Sequence, residues 1–131
     1  MADDAPAELL KNIPLFADLK GKELKRIAQA MNEKRVDAGQ PVTEEGKMGV
    51  GFFVIESGNA RVTVGGQERR TLGPGDYFGE IALIADLPRT ATVTAETPLR
   101  CWGLAPWDFR PIVEENASIA WKLLQAMAKM L

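Results

Sequence analysis

One segment of the sequence combines a glycine, a set of helix formers and an arginine that follows a proline. It reads GDYFGEIAL over residues 75–83 and, after four residues, PRTAT over residues 88–92. Gly79 permits close approach of the backbone at the start of a helical turn, whose free N–H groups favour an anion. Arg89 presents a planar fork of donors that fits a phosphate, whereas the Glu80 carboxylate accepts from a sugar hydroxyl and repels phosphate. These residue types predict an anionic ligand with a hydroxyl group beside its charge.

The sequence on both sides of this segment has the periodicity of β-strands. Apolar and polar residues alternate in stretches such as 61–64 and 92–95, and eleven of the twelve glycines lie between Gly39 and Gly103. Turn sequences recur at residues 56–59, 65–66 and 73–76. Short antiparallel strands joined by such turns predict a mainly β fold, a jelly-roll barrel.

Residues 79–85 depart from this alternation. They are helix formers and they end before Pro88, which disfavours a continuing helix. We therefore expect one short helical turn to interrupt the barrel.

Helical periodicity marks both ends of the chain. Between Glu8 and Met31 apolar residues recur at intervals of three and four, with interruptions at Pro14 and Gly21. This pattern predicts two short amphipathic helices. From Pro106 onwards the pattern is helical again, with Asn116 or Ser118 as the expected cap of a longer final helix.

The final helix carries two apolar stripes, each with a spacing of four, three and four residues. The first consists of Ile119, Leu123, Ala126 and Met130. The second consists of Ala120, Leu124, Met127 and Leu131. Packing on one barrel needs a single stripe, so the second either meets the same helix of another copy or marks a more deeply buried helix.

Length sets the domain organisation, because a chain of 131 residues is long enough to bury one core and too short for two. We expect a single domain over residues 1–131. It divides into N-terminal helices at 1–31, the jelly roll at 32–105 and C-terminal helices at 106–131.

Composition excludes several classes of function. No histidine occurs and Cys101 is the only cysteine, which rules out His-dependent triads, His-based metal sites and internal disulfides. The net charge of −2 disfavours direct DNA binding. There is neither an apolar run of about 18 residues nor a charged-then-apolar stretch at Met1, so neither membrane insertion nor export is expected. We expect a cytoplasmic protein that is not an enzyme, binds no metal and does not enter a membrane.

The segment at 75–92 resembles the phosphate-binding cassette of cyclic nucleotide-binding domains, and it is called the cassette below. Such domains occur in catabolite activator proteins, protein kinase regulatory subunits and nucleotide-gated channels. The match rests on residues 78–83 and 88–92 with four residues between them. Similar residues also recur elsewhere in the chain: Pro14-Leu15-Phe16, Phe52-Phe53-Val54-Ile55 with Gly58, and Phe109.

The resemblance implies a role for each part of the cassette. Glu80 would bind the ribose 2′-hydroxyl, Arg89 would bind the two free oxygens of the cyclic phosphate, and Val62 would lie against the base. Backbone N–H groups near Ile81, Ala82 and Ala91 would complete the anion site. The full expected set of ligand-binding residues is Val62, Phe78, Gly79, Glu80, Ile81, Ala82, Arg89, Thr90 and Ala91.

The sequence departs from the family pattern in two places. Before Phe52 the family often has a Gly-Asp pair, and here Lys47 and Val50 stand in those places. In catabolite activators the final helix continues and its later residues cover the base, whereas this sequence ends at Leu131. The residues that cover the base are therefore left open.

Each candidate residue also has a purely structural interpretation. Gly79 could mark a simple bulge, and Glu80 and Arg89 could form a structural ion pair. Arg69 and Arg70 face opposite sides of a strand, so one could approach the ligand, although a solvated position is favoured. Two further sets are assigned structural roles: Trp102, Trp107 and Trp121 to packing, and Lys20, Lys22, Lys25 and Arg26 to a solvated helix face.

The combined prediction is a sensor that binds cyclic AMP or cyclic GMP through the cassette and relays occupancy by movement of its C-terminal helices. Thr90 tolerates either base, and the resemblance to bacterial-type receptors favours cyclic AMP. No cofactor is expected. The expected partners are a second copy, bound through the last helix, and an unidentified effector protein. The alternative is a ligand-silent jelly-roll module for docking or dimerisation.

Overall fold

The computed structural model describes residues 5–46, 51–85 and 88–131. Its helical elements are α1 (Ala5–Leu10), a 3₁₀ turn at Pro14–Phe16, α2 (Lys22–Gln29), a second 3₁₀ turn at Glu80–Leu83, α3 (Pro106–Glu115) and α4 (Ala117–Lys129). The strands are β1 (Asn32–Val36), β2 (Pro41–Thr43), β3 (Phe52–Ser57), β4 (Ala60–Val64), β5 (Gln67–Leu72), β6 (Tyr77–Phe78), β7 (Thr92–Ala95) and β8 (Leu99–Leu104).

The strands of the described residues form two four-stranded antiparallel sheets. One has the order β1-β8-β3-β6 and the other has the order β2-β7-β4-β5. Helices precede the sheets and follow them in the chain. The predicted class, a mainly β jelly roll with flanking helices, is confirmed.

Strand β3 has apolar residues on both faces and divides the core into two parts. Phe52 and Val54 pack with residues of α1, α2, α3 and α4. Phe53 and Ile55, which point to the opposite face, pack inside the barrel with Val62 and other strand residues. Because all four side chains are buried, β3 joins the helices to the barrel.

Polar contacts fix α4 against the N-terminal helices. The Glu23 carboxylate on α2 accepts hydrogen bonds from Lys122 Nζ, at 2.5 Å from Oε1, and from the Ser118 hydroxyl. These contacts lower the pKa of Glu23. Lys129 Nζ lies 3.1 Å from an Asp18 oxygen near the other end of α4. The final helix is therefore held at both ends.

The final helix begins after the predicted cap residue, Asn116, but the side chain of that residue does not cap it. Asn116 lies between α3 and α4, and its side chain makes no cap hydrogen bond to α4. Its amide instead donates to the Ile112 carbonyl oxygen at 2.7 Å. Asn116 therefore stands at the predicted cap position, and its main-chain carbonyl accepts from the Ala120 N–H at 3.1 Å, but its side chain bonds to the preceding helix.

The apolar surface of α4 also differs from the prediction. Ile119, Leu123 and Ala126 of the first stripe are buried, but its last member, Met130, is exposed. In the second stripe Ala120 and Met127 are partly buried at the edge of the helix packing, and Leu124 is 57% exposed. The exposed large apolar residues on this helix are instead Trp121 and Leu124, three positions apart, and the exposed Leu131 follows the end of the helix.

The tryptophans divide into two groups. Trp102 on β8 is partly buried, and its Nε1 donates to Glu56 at 2.9 Å while Arg100 lies 5.8 Å from its ring centre. Trp107 and Trp121 are 65% and 63% exposed. The prediction of a packing role is wrong for these two, because helical spacing alone does not show which side of a helix meets the core.

We predict that Cys101 is inert towards thiol reagents at pH 8 in the native protein. It is fully buried inside the barrel, and burial raises its pKa to about 11. Labelling should require unfolding and so be at least about a thousandfold slower than in urea, given a usual domain stability. Because only the unfolded thiol ionises between its ordinary pKa and about 11, stability should fall as the pH rises through this range. Fast native labelling would contradict this assignment.

Candidate ligand-binding site

A cavity of about 640 Å³ opens between the cassette and strands β4, β5 and β7. Its volume is within the range of small-molecule sites in proteins. The structure brings all the sequence-predicted site residues to its lining: Val62, Phe78, Gly79, Glu80, Ile81, Ala82, Arg89, Thr90 and Ala91.

The first half of the cassette changes direction at Gly79. Strand β6 ends at Phe78, Gly79 has a φ of +86°, and the 3₁₀ turn at Glu80–Leu83 follows at once. The predicted helical turn over residues 79–85 is thus present and shorter. The first N–H groups of such a turn have no partner within it, so they are available to an anion in the cavity.

Arg89 is the main cation of the site, and its hydrogen bonding is incomplete. One guanidinium nitrogen, Nη2, donates to the Gly51 carbonyl oxygen, whereas Nε is buried without a hydrogen-bond partner. Burial lowers the pKa of Arg89. Among the described residues no carboxylate pairs with it, and the ion pair with Glu80 that the sequence left open is not found. A guanidinium in this condition fits an anion that supplies the missing acceptors.

Gly79 is required by the position of Arg89. A Cβ atom at residue 79 would overlap the Arg89 guanidinium and would lie 2.7 Å from the Gly51 carbonyl oxygen. Its positive φ is also strained for other residues. The glycine therefore permits close approach of the arginine, which is more specific than a bulge.

The second half of the cassette is anchored to the end of β2. The Gly46 N–H donates to the Arg89 carbonyl at 2.8 Å, and the Glu45 N–H donates to the Thr92 hydroxyl at 2.9 Å. Glu45 in turn accepts from the Gly65 N–H at 2.8 Å. These contacts hold the backbone of Arg89 while its side chain reaches across to Gly51.

Arg70 was left open by the sequence, and the structure places it on the cavity lining. It is exposed, as is Arg69, but Arg69 does not line the cavity. The signal was present in β5, because residues two apart share a face and Leu72 is buried towards the barrel. Arg70 is therefore an exposed cation on the cavity lining, although the sequence favoured a position away from the ligand for both arginines.

Tyr77 is a lining residue that sequence reasoning missed. Burial raises the pKa of its phenol, and the nearby Glu80 charge raises it further, whereas Arg70 lowers it. The hydroxyl therefore stays protonated and can donate at neutral pH. Other lining residues outside the predicted set are Thr43, Leu72, Asp76, Ala85, Pro88 and Val93.

Other expectations are only partly covered by the structure. Lys47 and Val50 lie outside the described residues. Lys20, Lys22, Lys25 and Arg26 are exposed, in agreement with a solvated helix face. In residues 5–46, 51–85 and 88–131 no cluster of three or more His, Cys, Asp or Glu side chains could hold a metal ion, and no helix is long and apolar enough to cross a membrane.

Comparison with known proteins places this geometry in a family. Residues 33–116 match the cyclic nucleotide-binding domain. The chain is 46% identical over 106 residues to a cAMP-dependent protein kinase regulatory subunit of Yarrowia lipolytica. The matched region covers 79% of this chain and 28% of that protein. It is 35% identical over 107 residues to a cGMP-dependent protein kinase of Plasmodium berghei, which covers 81% of this chain and 12% of that protein.

A solved structure shows the same fold. The regulatory domain of Toxoplasma gondii PKA, crystallised with cAMP, has a TM-score of 0.76 and 33% identity, covering 87% of this chain and 45% of that one. The chain belongs to the family of cyclic nucleotide-binding domains. This chain spans 28% of the length of the Yarrowia lipolytica regulatory subunit and 12% of the length of the Plasmodium berghei kinase.

Proposed function

We propose that this chain is a sensor domain that binds cyclic AMP or cyclic GMP in the cassette cavity and passes occupancy to its C-terminal helices. The observation that carries the proposal is Arg89, a partly buried guanidinium that lines a ligand-sized cavity and that no carboxylate of the described residues neutralises. Family membership supplies the class of ligand. The role is regulatory and non-catalytic, and we place the protein in the cytoplasm.

Two side chains of the cassette bind different parts of the ligand. Arg89 takes the two free oxygens of the cyclic phosphate, together with N–H groups near Ile81 and Ala91, while the Ala82 N–H donates to the Gly79 carbonyl oxygen at 3.0 Å. Glu80, which also lines the cavity, takes the ribose 2′-hydroxyl. Its negative charge disfavours a second phosphate charge, so the site suits the singly charged phosphodiester of a cyclic nucleotide.

In this proposal the base lies against Val62 on β4, beside its strand partner Arg70 on β5, and Thr90 of the cassette also lines the cavity. Both polar side chains offer donors, and guanine presents O6 and N7 as acceptors on one edge. The relatives include proteins named for each nucleotide. The preference for cyclic AMP therefore stays a prediction, and Arg70 supports cyclic GMP as a second ligand.

The route from the cavity to the helices begins at the cassette turn. Glu80 and Ile81 line the cavity, while Leu83 of the same turn packs in the helix core with Phe109 and Ile112 of α3. A ligand that pulls the turn towards the cavity therefore also moves Leu83, which packs against α3. This contact supports relay through Pro106–Leu131.

The exposed apolar line on α4 supports a second copy as partner. Trp121 and Leu124 lie on it, each more than half exposed, and the exposed Leu131 follows the end of the helix. Pairing of two such helices would bury these side chains and would place Trp121 at the contact. The effector protein is a further partner of the proposed sensor. The competing function, a ligand-silent dimerisation module, shares this surface but does not account for the incompletely satisfied Arg89.

We predict that Arg89→Ala lowers the affinity for cyclic nucleotide by about 2–5 kcal/mol, because one partner of a buried charged contact is lost. Calorimetric titration of the wild type and the variant with both cyclic nucleotides measures this. The unfolding free energy of the variant should barely change. Arg26→Ala, which removes an exposed arginine of α2, serves as control. An unchanged titration curve for Arg89→Ala would place the phosphate elsewhere, and a wild type that binds neither nucleotide would favour the ligand-silent module.

We predict that 2′-deoxy cyclic nucleotides bind more weakly by about 1–3 kcal/mol, because the Glu80 carboxylate loses a charged hydrogen bond. Linear AMP and GMP should bind more weakly than the cyclic forms. Glu80→Gln keeps an acceptor for the hydroxyl and removes the negative charge. It should therefore reduce the difference in affinity between linear and cyclic nucleotides. Competition assays in which linear AMP equals cyclic AMP against the wild type would contradict this role.

We predict that Arg70→Ala weakens the binding of cyclic GMP by about 1–3 kcal/mol, the usual range for an arginine that contacts a guanine edge. It should weaken the binding of cyclic AMP by less. Thr90→Ala should act in the same direction. Arg69→Ala is the matched control, since its side chain is one residue away and does not line the cavity. Equal losses for the two nucleotides would show that these residues do not distinguish the bases.

We predict that saturating cyclic nucleotide changes amide hydrogen exchange over Asn116–Leu131 as well as in the cassette. The ligand biases the helices only if it binds their two arrangements with different affinity. Mass spectrometry with and without ligand measures the change. Protection confined to the cassette would reduce the sensor to a binding module.

A further inference from the structure

Gly51 lies at the point where β3, the cassette turn and Arg89 meet. Its carbonyl oxygen accepts a hydrogen bond from Arg89 Nη2 and lies beside Gly79. We propose that Gly51 is a positioning residue, whose main-chain carbonyl orients the Arg89 guanidinium for the phosphate. This inference rests on the proposed binding function and assigns the group that prepares the arginine for it.

A carbonyl holds an arginine differently from a carboxylate. It accepts a hydrogen bond without cancelling the positive charge, so the guanidinium stays oriented and attractive to an anion. In the described residues Arg89 has no acidic partner, and its other donors include the unpartnered Nε. The Gly51 carbonyl therefore fixes one end of the fork and leaves the rest of it for the ligand.

The backbone at residue 51 requires glycine for two reasons. Its φ is +80°, which strains other residues. A Cβ atom there would overlap the Leu104 carbonyl oxygen and would lie 2.9 Å from the Leu104 carbonyl carbon and 3.1 Å from Ala105 Cα. These neighbours are backbone atoms at the end of β8, so residue 51 would have to move and its carbonyl would move with it.

Gly58 provides a matched control at the other end of β3. Its φ is +91°, and a Cβ atom there would overlap the Pro98 carbonyl oxygen and lie 3.1 Å from Leu99 Cα. Alanine at either glycine therefore imposes similar strain and a similar clash with backbone next to β8. Only Gly51 contacts Arg89, so the two variants separate positioning from general damage to the strand.

The test is a double-mutant cycle between Gly51→Ala and Arg89→Ala, with Gly58→Ala beside it. We expect Gly51→Ala to weaken cyclic nucleotide binding by about tenfold or more, the scale for losing a hydrogen bond to a charged group. Gly58→Ala should weaken it by less than about threefold while lowering the unfolding free energy to a similar extent. The double variant Gly51→Ala/Arg89→Ala should bind no more weakly than Arg89→Ala alone.

Two results would overturn the proposal. One is an equal affinity loss in Gly51→Ala and Gly58→Ala. The other is an additive loss in the double variant, which would show that Gly51 acts independently of Arg89. If the wild type fails to bind either nucleotide, the proposed function itself is wrong, and that outcome is distinct from both.

A measurement on the wild type covers the case in which Gly51→Ala does not fold. The ¹⁵N–¹H signals of the Arg89 guanidinium in the ligand-free protein report its rotation. We expect separate Nη resonances with slow solvent exchange, because one Nη is fixed by Gly51. A single averaged Nη signal with fast exchange would show that the carbonyl does not hold the side chain.

Discussion

The site depends on how the protein holds one buried positive charge. Arg89 is taken partly out of water, and among the described residues only the Gly51 carbonyl accepts from its guanidinium. Without an acid partner the cation keeps its charge, and burial makes that charge costly. A ligand phosphate relieves this cost directly. Gly79 has no side chain because any atom there would occupy the space of the guanidinium.

The jelly roll makes this arrangement possible by bringing distant segments together at β3. Gly51 immediately precedes that strand, and Phe53 and Val54 within it pair with Phe78 and Tyr77 of β6, which leads into the cassette turn. The same strand pairs along its length with β8, whose end continues into α3. The arginine, its carbonyl partner and the first C-terminal helix are thus connected through the buried strand of the core.

Much of the site could be predicted from the sequence because its parts are close together in the chain. The residue types of the cassette predicted an anion site with Gly79, Glu80 and Arg89, and the resemblance to the family supplied the remaining residues, including Val62, which also line the cavity. The Gly51 carbonyl could not be predicted, since it is a main-chain atom 38 residues from Arg89 that arrives by strand pairing. Arg70 was left open although the alternation of β5 indicates the face that it shares with Leu72.

The fold class was predicted from alternation and turn residues, whereas the surfaces of the helices were not. Helical spacing identifies apolar stripes, but packing decides which stripe meets the core, and on α4 the predicted second stripe is split between its edge and the solvent. Asn116 precedes α4 as expected, but its side chain bonds back to α3, because a short polar side chain can bond to either neighbouring helix.

The distribution of the tryptophans has a practical consequence for spectroscopy. Trp102 is fixed on the barrel by Glu56 and Arg100, whereas Trp107 on α3 and Trp121 on α4 present their indoles to water. Indole emission shifts to shorter wavelength when water is removed from the ring. A shift in the tryptophan emission of this protein therefore reports mainly a change in the environment of its two C-terminal helices, since Trp102 is already held on the sheet.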